Sequence, residues 1–265
     1  MKQLKNLPLE AYQHPLDKAA FMSLTRIPVI NKVVDFVTGS IEKFAVVNRT
    51  GSCLKVSEKN IPELYNEFRN VGSTIGMDSI PEFYIQFGYD LYSSTDGDKH
   101  PVTVINSGIV DLLTPDERKF YLGHELGHIM SGHLQYLLIC RYWGIVNQVV
   151  SGANLLSTPL MYFSRMTEFT ADRIGLLACQ NIDMAISTMM KQAGIPRKYY
   201  KDIKVEALME QIRDFKQMRD EMAHGIIEGA KIMRSNLPWI VNRAAFLLDW
   251  HDSGEYQKIL DKYGV

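Results

Sequence analysis

The chain has 265 residues, 46% hydrophobic and 22% charged, which excludes wholesale disorder, a collagen-like repeat and a coiled-coil rod. Lys and Arg number 29 against 30 Asp and Glu, a formal charge of -1 that gives no reason to expect a nucleic-acid partner or a polybasic membrane tether. The three cysteines, Cys53, Cys140 and Cys179, form no Cys-x-x-Cys pair and suit a reducing compartment.

The N-terminus meets charge and Pro8 before any apolar run, so no secretory segment is expected and the chain is placed in the cytoplasm. Residues 1–50 read as a helical N-terminal arm. In it Leu16, Ala19, Phe21, Met22 and Leu24 begin an apolar pattern that Val33, Val34, Phe36, Val37 and Ile41 resume after Pro28. An exposed arm and a packed helical layer both produce such a pattern. No repeat or low-complexity linker divides the remainder of the chain, so residues 51–265 are read as one domain, forming a compact unit with the arm.

From Leu54 to Ile75 the spacing of Ile61, Leu64, Tyr65 and Phe68 is helical, with Pro62 near the start, where its missing N–H costs least. Over 82–106 the period changes. Phe83, Ile85 and Phe87 alternate with Tyr84, Gln86 and Gly88, and Val102 and Val104 with Thr103 and Ile105, predicting two strands joined by the polar stretch Ser93 to His100. Thr114-Pro115-Asp116-Glu117 is a capping box with proline at the first helical position, opening a helix expected to reach about Tyr136 or beyond.

The run between Arg141 and Arg165 carries no charge and would suffice for a membrane span of about 20 residues. Asn147, Gln148, Asn154 and Pro159 interrupt it, and a buried or interfacial helical pair is the better reading. Peripheral membrane contact is expected through 142–164 if anywhere. Beyond Arg165 the pattern is helical, broken at Gly194-Ile195-Pro196 and near Asn236-Leu237-Pro238. The stripe Ala207, Leu208, Ile212, Phe215, Met218, Met222 and Ile226 reads as core packing on a helix from about Val205 to Arg234.

Inside the capped helix stands His124-Glu125-Leu126-Gly127-His128. Residues four apart share a helix face, so both imidazoles can reach one metal ion while Glu125 can meet a water beside it. Zinc suits two neutral histidines plus a carboxylate, and an open fourth position brings a bound water's pKa down to about 7. Gly123, Gly127 and Gly132 each cost a helix interior about 1 kcal/mol relative to Ala, and close approach of another element is the expected compensation.

Three spacings for a third ligand can be tested. The extended metzincin pattern needs glycine at position 131 and histidine at 134, which are Ser131 and Leu134 here. His133 falls about 140° round the helix from His128 and reads as a surface or packing histidine. A glutamate nineteen residues after His128 would fall on Asn147. What survives is Glu168-Phe169-Thr170-Ala171-Asp172, whose two carboxylates share a helix face: one can bind metal while the other holds a ligand histidine.

Gly123 to His128 followed by Ser164-Arg165-x-x-Glu168-x-x-Ala171-Asp172-Arg173 resembles the HtpX-like and CAAX-prenyl-protease family of gluzincin zinc metallopeptidases. Val104 to Leu113 and His14-Pro15-Leu16-Asp17 extend the resemblance over most of the chain. It implies that His124, His128 and Glu168 hold one Zn2+ per chain, that Glu125 is the general base, that Asp172 supports a ligand histidine, and that proteins or peptides are substrates. The expected architecture is α+β: a mostly helical zincin-like domain with a small antiparallel sheet beside the zinc helix. No partner protein is indicated. The expected activity is that of a zinc metalloendopeptidase of modest selectivity, with an extended peptide adding along the edge formed by 82–106.

Two departures stand out. The family's histidine before proline is Leu237 here, while Pro238 and Arg243 remain; Arg243, His224, His251 and Tyr256 are the candidates for transition-state support in its place, although each taken singly reads better as a structural or surface residue. Leu237 also motivates a reading from another class, a zinc-bound binding or chaperone-like module with weak or lost proteolysis. The second departure is Tyr89 to Ser93, where the family commonly shows an Asn-Ala pair beside the substrate-binding strand.

Overall fold

A computed structural model describes residues 1–97, 100–202, 204–222 and 240–265. Helices α1 (Leu9–Tyr12), α2 (Pro15–Thr25), α3 (Ile30–Phe36) and α4 (Glu42–Ser52) come first, a π-helical turn at Val37–Ile41 joining the last two. Strand β1 (Leu54–Val56) precedes α5 (Pro62–Thr74). Strands β2 (Glu82–Gln86), β3 (Ser93–Asp96) and β4 (Val102–Asn106) lead into α6 (Ser107–Leu112). The later elements are α7 (Pro115–Met130), α8 (Leu134–Arg141), α9 (Trp143–Val149), α10 (Ser157–Cys179), α11 (Ile182–Gln192), α12 (Val205–Met222), α13 (Ile240–Asp252) and α14 (Glu255–Tyr263). The fold is α+β and mostly helical, as the sequence leads one to expect. Leu237, Pro238 and His224, and the end of the helix expected to Arg234, lie outside the described residues; within α12, Leu208 and Ile212 are buried.

The sheet runs β1-β2-β4-β3 and is mixed, with β2 and β4 parallel and the other two pairs antiparallel. This corrects the antiparallel expectation in one pairing and the polar connection Ser93 to His100 in its first half, which is strand β3. The reason is chemical. β4 is buried at every position, as a central strand should be, whereas Ser-Ser-Thr-Asp in β3 holds no apolar residue, so alternation of hydrophobicity is silent there. Leu54–Val56, expected to lead into a helix, instead pairs with β2 as the opposite edge strand.

The capping box forms as expected: Glu117 N donates to Thr114 Oγ1 at 3.3 Å and Thr114 N to Glu117 Oε2 at 2.8 Å. The helix it opens stops at Met130, short of Tyr136. Gly132 takes φ +70°, a left-handed conformation that ends the helix and starts α8 in a new direction. Gly123 and Gly127 do meet a neighbour closely. A Cβ on Gly127 would lie 3.1 Å from the Cα of Ala171, and one on Gly175 would lie 2.8 Å from the carbonyl oxygen of Phe120. Glycines on both helices thus let the backbones of α7 and α10 come together, whereas Gly132 serves the turn.

Apolar side chains of the described residues gather in two large clusters that meet along α10, with a third, small one of Tyr84, Val102 and Val104 on the sheet. One joins α5, the sheet, α7, α11, α13 and α14 through Phe68, Phe83, Leu126, Ile174, Leu247 and Trp250. The other packs the arm against α8 and the first half of α10 through Ala20, Leu24, Val33, Ile139, Leu160 and Phe163. Of the two readings of the arm, the packed layer is what forms. The uncharged segment becomes α9, a 3-10 turn and the start of α10, with Val146, Leu156 and Leu160 buried and Ile145, Val149 and Leu155 exposed. Among the described residues no helix is long and apolar enough to cross a membrane.

Candidate metal centre

Three elements converge beneath β3. From α7, His124 and His128 project side by side, their ring centroids 4.9 Å apart. From α10, Glu168 faces both: its Oε2 lies 3.5 Å from His124 Nε2 and its Oε1 3.5 Å from His128 Nε2. These donor atoms all lie within 4.8 Å of one another, the one such trio of His, Cys, Asp or Glu found among the described residues. Two donors bound tetrahedrally at about 2.0–2.1 Å stand about 3.4 Å apart, so the spacing suits a single small cation. Two imidazole nitrogens and one carboxylate are a zinc donor set, and the residues present fit that ion.

The rest of each side chain is held as well. Asp172 Oδ1 lies 2.9 Å from His124 Nδ1, which leaves Nε2 facing Glu168. From α13, Arg243 grips Asp172 with two donors, Nε to Oδ2 at 2.8 Å and Nη2 to Oδ1 at 2.6 Å, and sets Nη1 3.2 Å from Glu168 Oε2. Burial by itself would raise the pKa of Glu168 and of Asp172, yet the Arg243 charge and the histidines hold both carboxyls well below their ordinary range. Arg243 also lines the cavity. Of the other stand-ins, His251 bonds Asp252 and leans on Tyr256, and neither His251 nor Tyr256 is among the residues that line the cavity.

Glu125 lies against β3. Ser93 Oγ donates to its Oε1 at 2.5 Å and Thr95 Oγ1 to its Oε2 at 2.8 Å, so the two hydroxyls of edge strand β3 orient the carboxylate. A cavity of about 620 Å³ opens here, lined by Ser93 to Thr95, the three residues of the trio and Glu125, and continues past Leu137, Cys140, Leu160 and Met161. At one end of β3, buried Asp96 pairs with Arg49 of α4 and Arg141 of α8, tying the arm to the edge strand.

Sequence reasoning misses Ser93 and Thr95, whose polar stretch reads as a connection, and misplaces His133. With the helix ended at Met130, His133 folds back, buried, to put its Nδ1 3.0 Å from His128 Nδ1 and its Nε2 3.3 Å from Asp17 Oδ2. Burial lowers its pKa despite the Asp17 bond. The run His14-Pro15-Leu16-Asp17 is the one signal of that partner in the sequence.

A family model described as Peptidase family M48 matches residues 97–251. Plastoglobule-localized metallopeptidase 48, chloroplastic, of Arabidopsis thaliana is 26% identical over 266 residues, covering 97% of this chain and 77% of that protein. Protease HtpX homolog of Tropheryma whipplei (strain TW08/27) is 22% identical over 147 residues, covering 54% of this chain and 50% of its own length. No solved structure matches the chain.

Proposed function

The chain belongs to peptidase family M48 and is a metal-dependent protease acting on proteins or peptides; on that premise we propose that it is a zinc endopeptidase in which His124, His128 and Glu168 hold the metal and Glu125 is the general base. The observation that carries this reading is the approach of Nε2 of both histidines to the two oxygens of one largely buried carboxylate from another helix. Zinc in such a site supplies a Lewis acid, which makes water acidic near neutral pH and polarises a peptide carbonyl.

The chain's own residues do the rest. Asp172 fixes His124 with Nε2 turned to the site, and Arg243 keeps Glu168 and Asp172 ionised. Glu125, aimed by Ser93 and Thr95, takes a proton from the attacking water and returns it to the leaving amine. Among the described residues β3 pairs with β4 alone, and it lines the cavity, which supports an extended peptide adding along it by main-chain hydrogen bonds. Such pairing asks little of the substrate's side chains and suits modest selectivity.

Unfolded protein substrates should be cleaved by wild type but not by Glu125→Ala or by chelated protein, while metal analysis finds about one zinc per chain in both wild type and Glu125→Ala. Persistent turnover in Glu125→Ala would defeat the base assignment. Wild type that holds zinc yet cleaves nothing would instead favour the binding-module reading that Leu237 motivates. Peripheral lipid contact through 142–164 belongs to the same proposal. It is supported by exposed Ile145, Val149 and Leu155 and by the plastoglobule localisation in the Arabidopsis relative's name. Flotation with liposomes checks it, and protein left at the bottom of the gradient would end it.

A further inference from the structure

We propose that Asp17 and His133 are positioning residues for His128, so that the N-terminal helix α2 helps to retain the metal. This rests on the reading of His128 as a ligand.

The relay of contacts starts at its outer end with Asp17. This residue is fully buried, and its Oδ2 accepts from Thr170 Oγ1 at 2.7 Å and from Gln13 Nε2 at 3.3 Å. A carboxylate offers only acceptors, so the His133 Nε2 that faces it must carry a hydrogen. With its one ring hydrogen on Nε2, His133 presents a bare Nδ1, which can only accept, so the Nδ1 of His128 opposite it must donate. His128 is thereby left with a bare Nε2, and that nitrogen faces Glu168 Oε1. The whole sequence of donors runs one way and selects the single tautomer of His128 able to bind a cation through Nε2.

The two ligand histidines are thus treated alike. Each has its Nδ1 held by a buried acid, His124 directly by Asp172 and His128 at one remove by Asp17. The outer acid is itself pinned to the ligand-bearing helix. His14 caps α2 by accepting from Leu16 N at 3.2 Å, its own N–H donates to Thr170 Oγ1 at 3.0 Å, and its ring packs between Phe169 and Phe246. Thr170 lies two positions from Glu168 on α10, so a shift of the arm moves Asp17 relative to the trio.

Zinc dissociation constants, measured on the full chain by competition with a chromophoric chelator, test the proposal alongside unfolding temperatures of the metal-free protein. His133→Phe keeps a ring and removes the acceptor, and should weaken zinc binding by about 10–100-fold. Asp17→Asn should act in the same direction by less. His133→Asn, whose Oδ1 stands near the lost Nδ1, should recover part of the loss. Leu24→Ala, which hollows the arm's packing away from these contacts, should lower the unfolding temperature and leave zinc affinity unchanged. Wild-type zinc affinity in folded His133→Phe would overturn the proposal; if that variant does not fold, wild-type affinity in Asp17→Asn would do so. Should wild type bind no zinc, or His124→Ala bind it equally well, the reading of the metal centre itself falls first.

Discussion

Two carboxylates one helical turn apart, Asp172 buried and Glu168 largely so, repel each other, and at this site a single guanidinium answers both. Arg243 is itself buried, and with Asp172 and Glu168 beside it its charge is held more firmly than usual although burial works against it. Removing it while leaving the acids should cost far more than a surface ion pair would. Arg243→Met is expected to destabilise the chelated protein by about 3–5 kcal/mol in urea unfolding at neutral pH, and Arg243→Lys to restore only part, since an ammonium cannot grip a carboxylate with two parallel donors. A loss below about 1 kcal/mol would show that the charges are compensated elsewhere. Arg243 can be picked out in the sequence by its place after Pro238. Its grip on Asp172 and Glu168 cannot, because nothing in the spacing of α13 states what faces it.

Helices are legible where their signals are local. The capping box, Pro62 and Pro115 at first helical positions, and the four-residue spacing of His124 and His128 each describe contacts made within a turn or two. Two elements resist. The pattern of α7 reads past its end because Ser131-Gly132 sits within an otherwise helical run, and a glycine there is equally a packing contact, as at Gly127, or a left-handed stop, as at Gly132. β3 reads as a connection because its side chains serve Glu125 and a buried ion pair instead of an apolar core. An edge strand built for polar work leaves no hydrophobic alternation to read, and its partner strand is chosen by the path of the chain around β4.

Across the molecule, α10 contributes to both of the larger apolar clusters, one holding the arm and the other residues of β1, β2 and β4. Burying His14 between Phe169 and Phe246, near Arg173, pushes its pKa down to about 4. Between about pH 6.5, where the unfolded histidine titrates, and pH 4, the folded protein therefore binds fewer protons than the unfolded one, and stability falls as the solution is acidified. The loss from this group reaches at most about 3 kcal/mol over that window. Asp17 and Asp172, whose pKa values are depressed, add a further loss only below the ordinary carboxylate range near 4. In urea titrations of the metal-free protein from about pH 7.5 to 4, His14→Gln should lose less stability on acidification than wild type, and equal slopes in the two proteins would contradict this.

By itself the sequence determined the donor types, the helix that presents two of them on one face, the short list of carboxylates that could complete the set, and the mostly helical class. Those properties depend on residues near each other along the chain. Only the tertiary structure decided that Glu168 and not Asp172 faces both imidazoles, that Ser93 and Thr95 hold Glu125, and that Asp17 reaches His133 across 116 positions. Contacts of that kind are set by how packed helices and strands are brought together, and periodicity within one element carries no record of what lies opposite it.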